Sequence, residues 1–138
     1  MNDFSISLDL LEHGWADISI SDATQEETFT ASYVGEDALS NLIDTAIRLS
    51  NGQGSTISFY LEPEIVSWQI NVHDDNCFAL QIGKLKFHGS IKRYIRQILR
   101  LFDSYLLLHS ENDYRAQWGH VFPHIKLAHL RSLLRSRR

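Results

Sequence analysis

Seven histidines, one cysteine and a scatter of carboxylates are the residues of this 138-residue chain best able to do chemistry. A zinc site needs Cys, His or carboxylate ligands that converge on one point. His120 and His124 are four apart, a spacing that on one helix puts both on one face. Pro123 lies between them, however, and suits the first turn of a new helix, which leaves His120 outside it. His124 and His129 are five apart and point to different sides. Cys77 has no second cysteine, so no intrachain disulfide can form, as in a reducing compartment. The histidines are expected in structural or surface roles, with no metal site and no cofactor. Glu62 and Glu64 flank Pro63, and paired carboxylates suit general acid–base work. The same run reads as a solvated turn between strands, because Pro cannot donate to a central ladder. Asp74-Asp75 falls in another turn, at the opposite end of the sheet. No G-x-S-x-G elbow is present, and Gly52-x-Gly54 lacks the flanking strand and helix of a phosphate loop. The expectation is a protein that is not an enzyme and has no catalytic residues.

The elements that would position these residues follow from periodicity. Phe4 to Leu10 alternates strictly, as a half-buried strand does. Ala16, Ile18 and Ile20 mark a second strand and Phe29, Ala31 and Tyr33 a third, joined by short polar turns. Glu36 and Asp37 open a helix at its positive end. Its apolar stripe runs from Ala38 and Leu39 to Leu49, and Asn51-Gly52 stops it. Three more strands are marked by Ile57, Phe59 and Leu61, by Val66, Trp68, Ile70 and Val72, and by Phe78, Leu80 and Ile82, the last running on towards Phe87. Ser90 caps a long amphipathic helix from Ile91, and Glu111 to His120 is a short helical segment. A final helix after Pro123 turns Ile125, Leu127, Leu130, Leu133 and Leu134 inward. The fold class is therefore α+β: one domain over residues 1–138, a six-stranded antiparallel sheet in the order βββαβββαα, with helices packed on one face.

Charge is divided along the chain. Residues 1–83 hold 14 acids and one base, a net of −13, whereas residues 84–138 hold 12 bases and three acids, a net of +9. The N-terminus carries Asp3 and Asp9 and no basic stretch, unlike a signal peptide. The most apolar run, Ile91 to Leu108, contains Arg93, Arg96 and Arg100. Each Arg would cost roughly 2.5–3.5 kcal/mol at membrane depth, so a cytoplasmic protein without a membrane partner is expected. The basic helices, with Lys92, Arg93, Arg96 and Arg100 and an end at Arg131, Arg135, Arg137 and Arg138, could contact nucleic acid. The acidic whole, with a pI near 5.9, argues against direct binding.

On the strands, polar residues alternate with the apolar ones and form an open sheet face rimmed by acids. Complementary charge there would speed encounter with a basic partner. The candidate partner-binding residues are Trp15, Asp17, Glu26, Glu27, Glu36, Asp37, Tyr60, Glu62 and Glu64. Trp15 and Tyr60 are the aromatic anchors, because aromatics dominate interface hot spots.

Trp15-Ala16-Asp17-Ile18, Phe29 to Val34, Asp37-Ala38-Leu39 with Leu42, the Leu49 to Gly52 helix end, Phe59, Glu62-Pro63 and Trp68 together resemble small bacterial immunity proteins of contact-dependent inhibition and related polymorphic toxin systems. The likeness spans Trp15 to Ile82 and contains no catalytic residue. It implies a cytosolic protein that binds and neutralises a cognate toxin domain, often a nuclease, and it carries over no binding residue. A small ligand-binding protein or enzyme with an unrecognised pocket is the alternative, as is a nucleic-acid-associated regulator using the basic helices. Neither the toxin nor the oligomeric state follows from the sequence.

Overall fold

The computed structural model describes residues 4–137; Asp3 and Arg138, both counted in the charge split, lie outside them. Seven strands and four helices follow one another as βββαββββααα. Strands β1 (Ser5–Leu10), β2 (Trp15–Ser21) and β3 (Glu26–Ser32) form one antiparallel sheet in the order β1-β2-β3. Helix α1 (Ala38–Ser50) leads to a second sheet, with β4 (Ser55–Tyr60), β5 (Ile65–Val72), β6 (Cys77–Ile82) and β7 (Leu85–Ser90) in sequence order. Helices α2 (Ile91–Leu108), α3 (Glu111–Trp118) and α4 (His124–Ser136) complete the chain.

The expected single six-stranded sheet is therefore incorrect. Strands β3 and β4 are not hydrogen-bonded to each other, and the sheets meet through side chains instead. Phe29 on β3 packs against Phe59 on β4, with ring centres 4.9 Å apart, and stands edge-on to Trp68 on β5. Alternation reports which face of a strand is buried, whereas edge pairing depends on where α1 returns the chain. The seventh strand arises at Gly83-Lys84. Ile82 pairs with Leu85, so these two residues are the whole hairpin loop, and Gly83 takes φ 56°, as a tight two-residue turn demands. What reads as one long strand towards Phe87 is two strands folded back on each other.

Both sheets turn their apolar sides to α1 and α2, and the buried side chains form one continuous cluster. Phe4, Phe78 and Tyr94 meet within about 6 Å of one another, joining the start of β1 to β6 and α2. Thr45 of α1 and Tyr94 of α2, both buried, share a 2.7 Å hydroxyl–hydroxyl bond. Desolvation pushes the Tyr94 phenol well above its ordinary pKa of 10, so it remains a neutral partner in that bond.

Helix ends follow local chemistry. Ser90 accepts the Arg93 N–H and caps α2. Ser110 and Asp113 form a reciprocal capping box on α3, which ends at left-handed Gly119. In α4, Leu127 and Leu130 are buried, but Ile125 is 86% exposed and is not inward as expected. Two helical positions span about 200°, so a helix that buries Leu127 turns Ile125 to solvent. Lys126 locks that phase by bonding Asp44 and Ser40 of α1. No helix among the described residues is long and apolar enough to cross a membrane.

Candidate protein-binding surface

The outer face of the β1-β2-β3 sheet is polar, as alternation requires: Ala16, Ile18 and Ile20 are buried while Trp15, Asp17 and Ser19 point outward. Asp9 of β1 sits directly opposite Asp17 of β2. Like charges facing each other across a ladder are unfavourable. No Lys or Arg pairs with either acid among the described residues; Asp17 accepts only the Thr30 hydroxyl. An uncompensated pair that breaks a local rule is the kind of feature retained for function. Glu26 is exposed at the end of β3, opposite Ser21. Glu27 has the parity of Phe29 and lies half-buried at the rim of the covered face. Trp15 is half-buried, opposite Ser32, at the end where β3 leads out of the sheet.

From there the chain enters a second group. Tyr33-Val34-Gly35-Glu36 links β3 to α1, and Gly35 at φ 92° lays this link across the Tyr60 ring. A Cβ built on Gly35 would stand 3.5 Å from Tyr60 Cε2, so the link runs beside the strand end with about a methyl group's space between them. Val34, Gly35, Tyr60, Glu62 and Pro63 line an open hollow of about 530 Å³. A neighbouring depression of about 370 Å³ is lined by Tyr60 together with Glu36, Asp44 and Arg48. Tyr60 thus stands between Glu36 and Glu62. Its cross-strand partner Ile65 is 56% exposed and Val34 is 50% exposed. Glu62 holds φ 52°, a left-handed conformation that costs a non-glycine residue about 1–2 kcal/mol. Such strain gathers at binding and switch positions. Glu64 is exposed on the same turn, where its carbonyl accepts the Leu61 N–H. Glu36 is bonded only by Asn41 Nδ2, and neither Glu62 nor Glu64 meets a cation among the described residues.

Asp37 is different. Its Oδ1 accepts the Ser40 N–H as the N-cap of α1 and also the indole N–H of Trp118, at 2.8 Å. His120 Nδ1 lies 3.9 Å from its other oxygen. Tyr114, whose buried hydroxyl has no hydrogen-bond partner among the described residues, is held well above the usual phenol range by burial and by the Asp37 charge. His120 bonds no hydroxyl or thiol among the described residues, so this Asp–His–Tyr group contains no activated nucleophile. It ties the end of α3 and the loop after it to the start of α1. His124 meets Glu111 through Nε2, and no group of three His, Cys, Asp or Glu among the described residues could hold a metal ion.

Of the nine candidate residues, the fold sets Tyr60 and Glu62 in the hollow and Glu36 in the adjoining depression, and leaves Glu64 exposed on the Glu62 turn. It places Trp15, Asp17 and Glu26 on the outer face of the first sheet and turns Asp37 and Glu27 inward. Sequence reading missed Val34 and Ile65. Their signal was faint: an apolar residue directly before Gly35, and another at the first position after the Glu62 turn. The two halves are joined by little close pairing of charge: Lys126–Asp44 is the one Lys or Arg ion pair between them among the described residues.

No family model, curated protein or solved structure matches this chain.

Proposed function

We propose that this chain is an immunity-type protein of the cytoplasm that binds and neutralises a cognate toxin domain with a basic active-site cleft, such as a nuclease. The observation that carries the reading is the hollow beside Tyr60, an apolar centre of Val34, Tyr60 and Pro63 with Glu62 at its rim and Glu36 in the adjoining depression, neither of them in an ion pair with Lys or Arg among the described residues. Interfaces are built this way, with aromatic anchors at the centre and polar groups around them. The opposed Asp9–Asp17 pair extends the negative field to the first sheet and would steer a cationic partner. The resemblance over Trp15 to Ile82 supports the same class of partner.

The test pairs this chain with the C-terminal domain of a large secreted protein encoded immediately upstream. Co-expression should restore growth to cells producing that domain, and the two should form a tight complex. The triple variant Asp17→Lys, Glu36→Lys, Glu62→Lys should associate at least tenfold more slowly at low salt. Tyr60→Ala should mainly raise the dissociation rate. An unchanged on-rate in the triple variant would sink the acidic-surface reading, and failure to protect or to bind would sink the immunity reading.

A further inference from the structure

The free edge of β1 opens into a groove beside α2. Leu11 N–H donates to Trp15 O at 2.9 Å, so the odd residues of β1 exchange hydrogen bonds with β2. Ile6, Leu8 and Leu10 therefore turn their N–H and C=O groups away from β2, towards α2. Along the first half of the strand, α2 satisfies this edge. Arg93 Nε donates to Phe4 O at 2.7 Å, and buried Gln97 accepts the Ile6 N–H at 3.2 Å. One turn further on the support stops, because no side chain among the described residues bonds the backbone of Leu8 or Leu10. Instead a groove of about 270 Å³ separates these residues from Arg100, Leu101, Ser104 and Leu108. Leu108 is 85% exposed, and Arg100 makes no ion pair among the described residues.

We infer that this groove takes an extended segment of a partner protein, added as a fourth strand on β1, with a carboxylate side chain set against Arg100. Unpaired edge groups recruit a strand, and the main chain supplies the affinity. With the Ile6 N–H already held by Gln97, the open stretch from Ser7 to Leu10 has room for about four residues at about 3.4 Å each. Alternation fixes what they must be. Side chains facing α2 meet Leu101, Leu108 and Arg100, and are apolar with one acid. Side chains on the other face stand beside Ser7 and Asp9, and are neutral or basic. The site lies on the basic-helix side of the molecule; it involves none of the residues at the Tyr60 hollow and shares only Asp9 with the acidic surface, so the Tyr60 variants test one and the Arg100 and Ser104 variants the other.

The experiment selects binders to the full chain from a display library of random seven-residue peptides and titrates the enriched peptides by amide NMR. Enriched sequences should alternate as described. Their binding should protect the Leu8 and Leu10 amides from exchange. Leu8→Pro deletes one outward N–H without removing a ladder bond, and Ser104→Trp fills the groove; each should weaken binding at least tenfold. Arg100→Glu, at an exposed helical position, keeps the fold and should shift selection from an acid to a lysine. The inference is overturned if nothing enriches, if bound peptides perturb other residues, or if Arg100→Glu and Ser104→Trp bind like the parent. It is equally overturned if the edge proves to hold a second copy, seen as a concentration-dependent dimer abolished by Leu8→Pro.

Discussion

Asp37→Ala separates a structural carboxylate from a binding one. The side chain has two tasks in the fold: it caps α1 through the Ser40 N–H and accepts the Trp118 indole N–H. Loss of an N-cap costs about 1 kcal/mol. Trp118 is fully buried, so its orphaned N–H adds a penalty in the range of about 1–3 kcal/mol, held to the lower end because Asp37 itself is partly wet. The expected loss is about 2 kcal/mol, or roughly 6–8 °C in Tm for a domain of this size. Urea unfolding followed by tryptophan fluorescence measures it. Asp37→Asn keeps an oxygen acceptor for both donors and should cost well under half as much. Trp118→Phe combined with Asp37→Ala should show a coupling of about 1 kcal/mol, because the two variants remove one shared bond. A loss below about 0.5 kcal/mol for Asp37→Ala, or an Asn variant as unstable as the Ala variant, would refute this assignment and return Asp37 to the partner-facing set.

The phase of α4 is open to a simple comparison: Leu127→Ala should cost about 2–5 kcal/mol and Ile125→Ala less than about 0.5 kcal/mol by the same urea assay, and equal losses would contradict the packing. Acid should loosen three turns and caps. Backbone N–H donors, chiefly those of Thr24, Asn76 and Ser110, hold Asp22, Asp74 and Asp113 below the ordinary carboxyl value of 3.8. A carboxyl depressed in the folded state stabilises above its unfolded pKa, and that contribution is lost as pH falls below 3.8 through the folded value. NMR titration of the three carboxyls should give midpoints below 3.8, and a midpoint at or above it would show that the N–H contacts do not hold the carboxylate.

Much of the molecule was legible in the sequence, for a physical reason. Side-chain period is a local property, so Ala16, Ile18 and Ile20 declare a buried strand face, and Ile91 to Phe102 a buried helix face, whatever surrounds them. Caps are local too: Ser90 and Asp37 begin their helices from their own side chains. The division of charge and the outward position of Trp15 and Asp17 belong with these. Edge pairing is not local. Only the tertiary structure decided that β3 and β4 stay apart, with Phe29 and Phe59 bridging two sheets, and that Gly83-Lys84 reverses the chain. Contact between distant residues decided the surface as well. Asp37 and Glu36 are neighbours in sequence, yet Trp118, 81 positions away, draws one carboxylate into the fold, while the other stays at the rim of the depression beside Tyr60. The same holds for β1. Its alternation was plain from the residues, but α2 alone determines where that edge is closed, by Gln97, and where it is left open, beside Arg100.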